Sequence, residues 1–253
     1  MNVLLPQAEP GQDAGLLVAS TLPVSFVDGP GNRFTIFLQG CNFDCFNCHN
    51  PSLIGESNQA CWTTVDSLLE QIRAHAAFLS GVTVSGGEAT LQLEGLLALF
   101  EAIKTDPDLA HLTTFVDTNG TLDESGWRRL APVLDGAMID VKAIDDLTHR
   151  IITGQGNAEV VASARALHAL DRLTEVRLLV IEGLTDGEAE LIAYAAFVRS
   201  LDPTLPVRLM AYRHHGVREK GRRWPETARV AVEEVAEILR SHGLTDIRTP
   251  SVT

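Results

Sequence analysis

Thr35-Ile36-Phe37-Leu38-Gln39-Gly40-Cys41-Asn42-Phe43-Asp44-Cys45-Phe46-Asn47-Cys48-His49-Asn50 joins a short apolar run to three of the four cysteines in the chain. The run, Thr35 to Gln39, reads as a buried strand that delivers the cysteine loop from its C-terminal end. Gly40 before the cysteines and Pro51 after Asn50 let the loop turn all three sulfurs around one metal centre, as soft-ligand sites require. The number of ligands matters. A closed structural zinc or iron-sulfur site takes four protein ligands, whereas a four-iron cluster on three cysteines leaves one iron free to bind something else. The spacing therefore predicts chemistry rather than support. A Cys3His zinc site completed by His49 competes with this, and it asks adjacent Cys48 and His49 to turn toward one ion. Three unligated buried thiols is the other reading.

The pattern of strand, polar turn and helix recurs on both sides of this stretch. Leu16 to Ser20 reads as a strand before it, with Asp28-Gly29-Pro30-Gly31 as the intervening turn. After it, Val65, Leu68, Leu69, Ile72, Ala76 and Leu79 form an apolar stripe at helical spacing, and Thr63-x-x-Asp66 resembles a capping box. Val82 to Val84 is a buried strand ending in Ser85-Gly86-Gly87-Glu88, and Leu91 to Lys104 is the next helix. Thr113 to Val116 runs into Asp117-Thr118-Asn119-Gly120 and a helix near Glu124 to Leu134. Ala137 to Ile139 runs into Asp140-Val141-Lys142 and a helix near Glu159 to Leu170. Glu175 to Ile181 precedes a helix from about Gly187 to Arg199. Val207 to Tyr212 precedes the last helix, with Pro225 near its start and Gly243 just past its end. Six such alternations predict parallel strands with right-handed crossovers, an α/β fold of the partial (β/α)6 TIM-type barrel kind. In such sheets the chemistry gathers on the loops after the strands.

Composition narrows the function. The length, 253 residues at 45% hydrophobic, fits one domain: an N-terminal extension and lead-in turn over 1–34, then the barrel over 35–250. A net charge of -13 disfavours nucleic acid, which binds through basic surface. Met1 to Gly15 shows no basic stretch followed by an apolar run, and no later segment has the roughly 20 apolar residues of a membrane span. The expected setting is cytoplasmic, without membrane or nucleic-acid partners. Clustered cysteines in that compartment favour metal over disulfides, and an open iron-sulfur cluster implies anaerobic use. Cys61 stands alone before Trp62 and reads as a small buried core residue.

Cys41-x3-Cys45-x2-Cys48 resembles the cluster motif of the radical S-adenosylmethionine (SAM) superfamily, whose open iron binds the methionyl amine and carboxylate of SAM. Val27-Asp28-Gly29-Pro30-Gly31-x-Arg33-Phe34 on one side and Cys48-His49-Asn50-Pro51 on the other resemble the glycyl-radical-enzyme activating enzymes, the group typified by pyruvate formate-lyase activating enzyme. The resemblance covers nearly the whole chain after about Leu16. It implies a [4Fe-4S] cluster, SAM, a glycyl radical enzyme as protein substrate, and a flavodoxin- or ferredoxin-type electron donor. Some of these activases carry a ferredoxin-like insert after the Cys-His-Asn segment; Pro51 to Ala60 is too short for it and has no cysteine, so one cluster is expected. Two departures stand out. Asn47 occupies a position that is often aromatic, which would leave adenine contact to backbone, Phe43 or Phe46. Ala89 replaces a proline often found after the Gly-Gly-Glu motif.

The resemblance assigns roles at the strand ends. Gly86, Gly87 and Glu88 would hold the methionyl ammonium; an ordinary turn is the alternative. Asp140 and Lys142, two apart on one strand, leave the same face of the sheet. Lys142 would meet the SAM carboxylate, and Asp140 with Asp117 would hold a monovalent cation or the ribose; an ion pair closing the barrel is the alternative. Asn47, His49, Thr118, Asn119 and Val141 join the SAM set. Arg177, a charge on the row of Leu179 and Ile181, is a further SAM contact or a snorkelling surface residue. Near Tyr212, relatives place a histidine against SAM, and here Arg213 and His214 compete for that place. The basic run through Arg218, Lys220, Arg222 and Arg223 is a solvated loop or a docking surface for an acidic electron donor. Asp28, Gly29 and Gly31 would meet the glycine-bearing loop of the partner, or form only a turn. A radical SAM enzyme acting on a small molecule or peptide, and a zinc-binding interaction module, are the other functional readings.

Overall fold

A computed structural model describes residues 14–250 apart from 56 and 58. Of the expected 1–34 extension and of the Met1 to Gly15 stretch, residues 1–13 lie outside the described residues. Among the described residues nine strands form one sheet: β1 (Gly15–Ser25), β2 (Arg33–Leu38), β3 (Cys61–Thr64), β4 (Gly81–Gly86), β5 (Thr113–Thr118), β6 (Gly136–Asp140), β7 (Leu173–Val180), β8 (Val207–Ala211) and β9 (Ile247–Arg248). Their order is β3-β1-β2-β4-β5-β6-β7-β8-β9. β1 is antiparallel to β2 and β3, and every pair from β2 to β9 is parallel. The six expected strands are β2, β4, β5, β6, β7 and β8, so the partial barrel is present. β3 and β9 stand at the two ends of the strand order, which leaves the barrel unclosed.

The α-helices of the described residues cover the outside: α1 (Val65–Arg73), α2 (Leu93–Thr105), α3 (Glu124–Leu130), α4 (Asp146–Thr153), α5 (Ala158–Ala169), α6 (Glu188–Leu201) and α7 (Arg229–Ser241). Strand side chains alternate between two faces. Phe34, Ile36, Val82, Val84, Ile139 and Leu178 point outward and are buried against helix residues such as Leu68, Leu96 and Phe100. Each such burial contributes about 1.5–3 kcal/mol of transfer free energy. The inner face carries polar side chains among apolar ones such as Phe115 and Met138. Arg33, Thr35, Thr83, Ser85, Glu175 and Arg177 are buried on it. Arg33 is fully enclosed: Nε donates to Thr83 Oγ1 at 2.5 Å, Nη2 donates to the Val82 and Thr113 carbonyls at 2.7 and 2.9 Å, and the guanidinium lies 4.3 Å from the Phe115 ring centre. Burial lowers its pKa to about 10. The molecule thus keeps its apolar core between sheet and helices and lines the barrel interior with groups able to meet a polar ligand.

Several boundaries differ from expectation. Cys61 is exposed, because it opens the edge strand β3 rather than packing inward. Thr63 also lies in β3; the cap of α1 is Thr64, whose side chain accepts from Ser67 N, and the helix stops at Arg73 before a separate 3-10 turn at Ala76–Phe78. Leu91 lies in a 3-10 turn that leads into α2. The last helix begins at Arg229, four residues after Pro225. α4, unanticipated, is capped by Asp145 and ends at Gly154 with φ of 81°. Asp28-Gly29-Pro30-Gly31 lies at the start of β2, at the opposite end of the barrel from the cysteine loop.

Candidate active site at the barrel mouth

The C-terminal end of β2 passes through Gly40 (φ 100°) into the cysteine loop. Four neighbouring segments hold that loop. Gly40 N and Cys41 N donate to the Leu53 and Ile54 carbonyls at 2.8 and 3.1 Å; Asp44 N and Phe46 N donate to the Thr153 and Ile152 carbonyls at the C-terminus of α4, at 3.0 and 3.1 Å. Asn42 Nδ2 donates to Thr121 Oγ1 at 2.7 Å, and Asn119 Nδ2 donates to Asn42 Oδ1 at 2.8 Å while lying 3.9 Å from Cys41 Sγ. From the segment after β8, Arg218 Nη2 donates to the Cys45 carbonyl at 2.9 Å, and Lys220 Nζ pairs with Asp44 at 2.7 Å. Although its burial acts the other way, Lys220 and Arg218 lower the pKa of Asp44.

Gly86 and Gly87 are required by backbone packing. A Cβ at Gly86 would collide with the backbone of Leu38, and one at Gly87 with the carbonyl of Gly40. That closeness lets Gly87 N and Glu88 N donate to the Leu38 and Gly40 carbonyls at 3.0 and 2.8 Å, extending the strand pairing into the cysteine loop. Both glycines also face the cavity, as expected. Glu88 does not. It is buried behind them, its Oε1 accepting from Thr90 N (3.0 Å), Thr90 Oγ1 (2.6 Å) and Thr118 Oγ1 (2.8 Å), and its Oε2 from Asn119 N (2.6 Å). Its carboxylate is therefore spent on fixing the loop after β5.

A cavity of about 250 Å³ opens at this mouth. Among the expected residues, Cys41, Cys45, Asn47, Cys48, His49, Gly86, Gly87, Asp117, Thr118, Asn119, Asp140 and Lys142 line it. Burial raises the Cys41 and Cys45 thiols to about 12 and about 11. Such thiols are protonated without metal and give up their protons to a bound cation centre. Asp117 accepts from Ser85 Oγ at 3.1 Å and pairs with Arg177 at 3.0 Å; Asp140 pairs with Lys142 at 2.8 Å. Against the pull of burial, Asp140 and Cys45 hold the Lys142 ammonium above its usual pKa. Each carboxylate thus already faces a cationic side chain. Two buried acceptors, Asn47 Oδ1 and Asp140 Oδ1, have no donor among the described residues. Unpaired buried acceptors at a cavity wall are what a ligand carrying ammonium and hydroxyl groups would satisfy.

Other expected contacts fall elsewhere. Val141 is fully buried on the outer face. Arg177 lies one layer below the cavity, bonded to Asp117, Glu175 and Met138. The Arg213 side chain donates to the Tyr212 and Thr227 carbonyls, and His214 Nε2 lies 2.8 Å from the Trp224 carbonyl. Neither side chain enters the cavity. His49 Nε2 instead faces the Arg213 carbonyl at 3.2 Å, and no Cys3His set is formed among the described residues. Among the described residues no three His, Cys, Asp or Glu side chains converge on a single ion. A cluster asks less, because each thiolate meets a different iron. Asp28 is half-buried: its Oδ2 accepts from Ser25 Oγ and Thr35 Oγ1 at 2.5 and 3.3 Å, and its carbonyl from Thr83 Oγ1 at 2.6 Å. Gly29 and Gly31 have φ of 130° and 74°, conformations that shape this turn. Leu179, Met210 and Ala211 form a wall of the cavity that the sequence reading missed. Leu179 pairs in register with Met210, so strand alternation was the available signal.

Comparison with known proteins agrees with this arrangement. The family model of the radical SAM superfamily matches residues 35–195. The chain is 35% identical over 209 residues to a pyruvate formate-lyase-activating enzyme of Streptococcus mutans, covering 79% of this chain and 78% of that protein. It is 31% identical over 201 residues to the enzyme of that name from Staphylococcus epidermidis, covering 76% and 78%. Among solved structures, a domain of a pyruvate-formate lyase-activating enzyme from Bacteroides vulgatus matches with TM-score 0.55 at 20% identity, covering 68% of this chain and 99% of that one. A radical SAM methyltransferase from Sphaerobacter thermophilus matches with TM-score 0.66 at 19% identity, covering 87% and 67%. The structural likenesses speak for the fold alone. With the family model spanning more than half of the chain and a curated relative at 35% identity, the chain belongs to the radical SAM superfamily and is an enzyme.

Proposed function

We propose that this enzyme activates a glycyl radical enzyme by installing a radical on one of its glycines. The observation that carries the reading is the 35% identity, over most of both chains, to an enzyme named as a pyruvate formate-lyase activase. The flanks Val27 to Phe34 and Cys48 to Pro51 support it. Membership of the superfamily implies a [4Fe-4S] cluster and SAM, and the residues at the mouth fit both. Cys41, Cys45 and Cys48 would hold the cluster and leave one iron without a protein ligand. When bound, these groups supply one-electron cleavage of SAM to methionine and a 5′-deoxyadenosyl radical, which takes a hydrogen atom from the partner glycine.

The protein supplies orientation and exclusion of water. Lys142 is placed for a ligand carboxylate. The orphaned oxygens of Asn47 and Asp140 are placed for donors on the ligand. Gly86 and Gly87, which line the cavity, approach the ligand ammonium, while the Glu88 carboxylate holds Thr90, Thr118 and Asn119. Leu179 and Met210 exclude water from the part of the wall they form. Asp28, Gly29 and Gly31, at the far end of the polar interior, meet the glycine-bearing segment. A flavodoxin- or ferredoxin-type protein provides the electron. To test the reading, the protein is reconstituted anaerobically and mixed with SAM, dithionite and candidate glycyl radical enzymes. A glycyl radical signal in electron paramagnetic resonance (EPR) is expected on one of them. SAM cleavage with radical installed on a small molecule or peptide instead would refute it.

A further inference from the structure

We infer that the segment after β8, residues 213–224, is the surface on which an acidic one-electron donor protein docks; this rests on reading the cysteine loop as the cluster site. Arg213, Arg218, Lys220, Arg222 and Arg223 place five basic side chains within eleven residues of a chain of net charge -13 that has only 20 Lys and Arg in all; the carboxylates that face them are Glu219, Asp44, which pairs with Arg218 and Lys220, and Glu226, which accepts from His214 N. So local a reversal of sign steers an acidic partner to one place and repels it elsewhere.

The position of the segment gives the reversal its meaning. It packs on the cysteine loop at Phe46 and His49, and none of its residues lines the cavity. Gly216, at φ of 72°, packs against the His49 carbonyl, and Gly221 against the Phe46 carbonyl, so closely that neither tolerates a Cβ. Trp224 stacks on Phe46, ring centres 4.1 Å apart and 13° from parallel. Arg218 and Lys220 turn in to Asp44, whereas Arg213, His215, Arg222 and Arg223 are exposed. Half-buried Trp224 therefore connects the surface to Phe46, next to Cys45, through one aromatic contact. The mouth is committed to SAM, and the barrel interior to the group that loses hydrogen. An electron has to enter by another side, and this segment packs on the cysteine loop outside the cavity. In the docked complex the donor gives up one electron and the protein-bound centre gains it, with no proton or group transferred.

The test uses Arg222→Glu with Arg223→Glu, two exposed positions outside the cavity, and Arg222→Lys with Arg223→Lys as the charge-preserving control. Binding of a purified acidic flavodoxin to the reconstituted protein is followed by calorimetry, and the rate of bleaching by the photoreduced flavodoxin by stopped flow. At low ionic strength the parent rate should fall with added salt. The Glu pair should bind and accept electrons about tenfold more slowly and lose that salt dependence, while the Lys pair behaves as the parent. Dithionite-driven formation of 5′-deoxyadenosine should be the same in all three. Parent-like reduction of the Glu pair by flavodoxin would overturn the assignment. So would loss of its dithionite-driven cleavage, which would make the segment purely structural, or loss of glycyl radical transfer under dithionite, which would make it the surface for the substrate enzyme. A parent protein that binds no iron would fail the underlying reading instead, before flavodoxin is added.

Discussion

Replacing Glu88 with alanine separates a supporting carboxylate from a ligand-binding one. Four donors converge on it: the amides of Thr90 and Asn119 and the hydroxyls of Thr90 and Thr118. The hydroxyls can rotate to other acceptors, but the two amides cannot. An orphaned buried donor costs about 1–3 kcal/mol, so Glu88→Ala should destabilise the cluster-free protein by roughly 2–6 kcal/mol. For a chain of this size that lowers Tm by roughly 4–24 °C. Glu88→Gln keeps one carbonyl oxygen and sets an NH2 group against the remaining donors, so it should fall between. Thermal unfolding followed by circular dichroism, without cluster or SAM, gives the answer. If Glu88→Ala melts within about 2 °C of the parent while its SAM affinity collapses, Glu88 is a SAM contact and the reasoning from its hydrogen bonds is refuted.

Two further outcomes follow from the site. In cluster-free protein at pH 8, iodoacetamide should modify exposed Cys61 before Cys45, whose thiol burial holds at about 11; Cys45 labelling should then rise about tenfold per pH unit as its thiolate fraction grows, and equal labelling of both at pH 8 by mass spectrometry would contradict the burial argument. Asp28→Ala should still cleave SAM without partner but install little glycyl radical, and an unchanged radical yield by EPR would remove Asp28 from the interface.

The barrel was legible because each strand is a short apolar run followed by glycine or polar residues, and each long helix carries an apolar stripe. What escaped the sequence shares a physical cause. Asp145 caps α4 and Gly154 ends it, yet its inward face is made of His149, Ile152 and Thr153, which show no simple apolar stripe. β3 and β9 are edge strands of four and two residues whose pairing partners lie far along the chain. Cys61 is exposed because it sits on such an edge, which composition does not reveal. At the mouth, motif order placed the cysteines, glycines and carboxylates beside one cavity. Which of two adjacent polar residues points inward was not readable, since it depends on a rotation of one residue. Glu88 turns behind Gly87 to serve Thr90 and Asn119, and Arg213 bends to the carbonyls of Tyr212 and Thr227.

The central claim is that Cys41, Cys45 and Cys48 hold a cluster with one iron open to SAM. EPR of the anaerobically reconstituted, dithionite-reduced protein with and without SAM tests it most directly. The account predicts a reduced-cluster signal whose shape changes when SAM is added, and neither signal nor 5′-deoxyadenosine from Cys45→Ala. A signal indifferent to SAM, or a Cys45→Ala protein that forms 5′-deoxyadenosine at the parent rate, would contradict it.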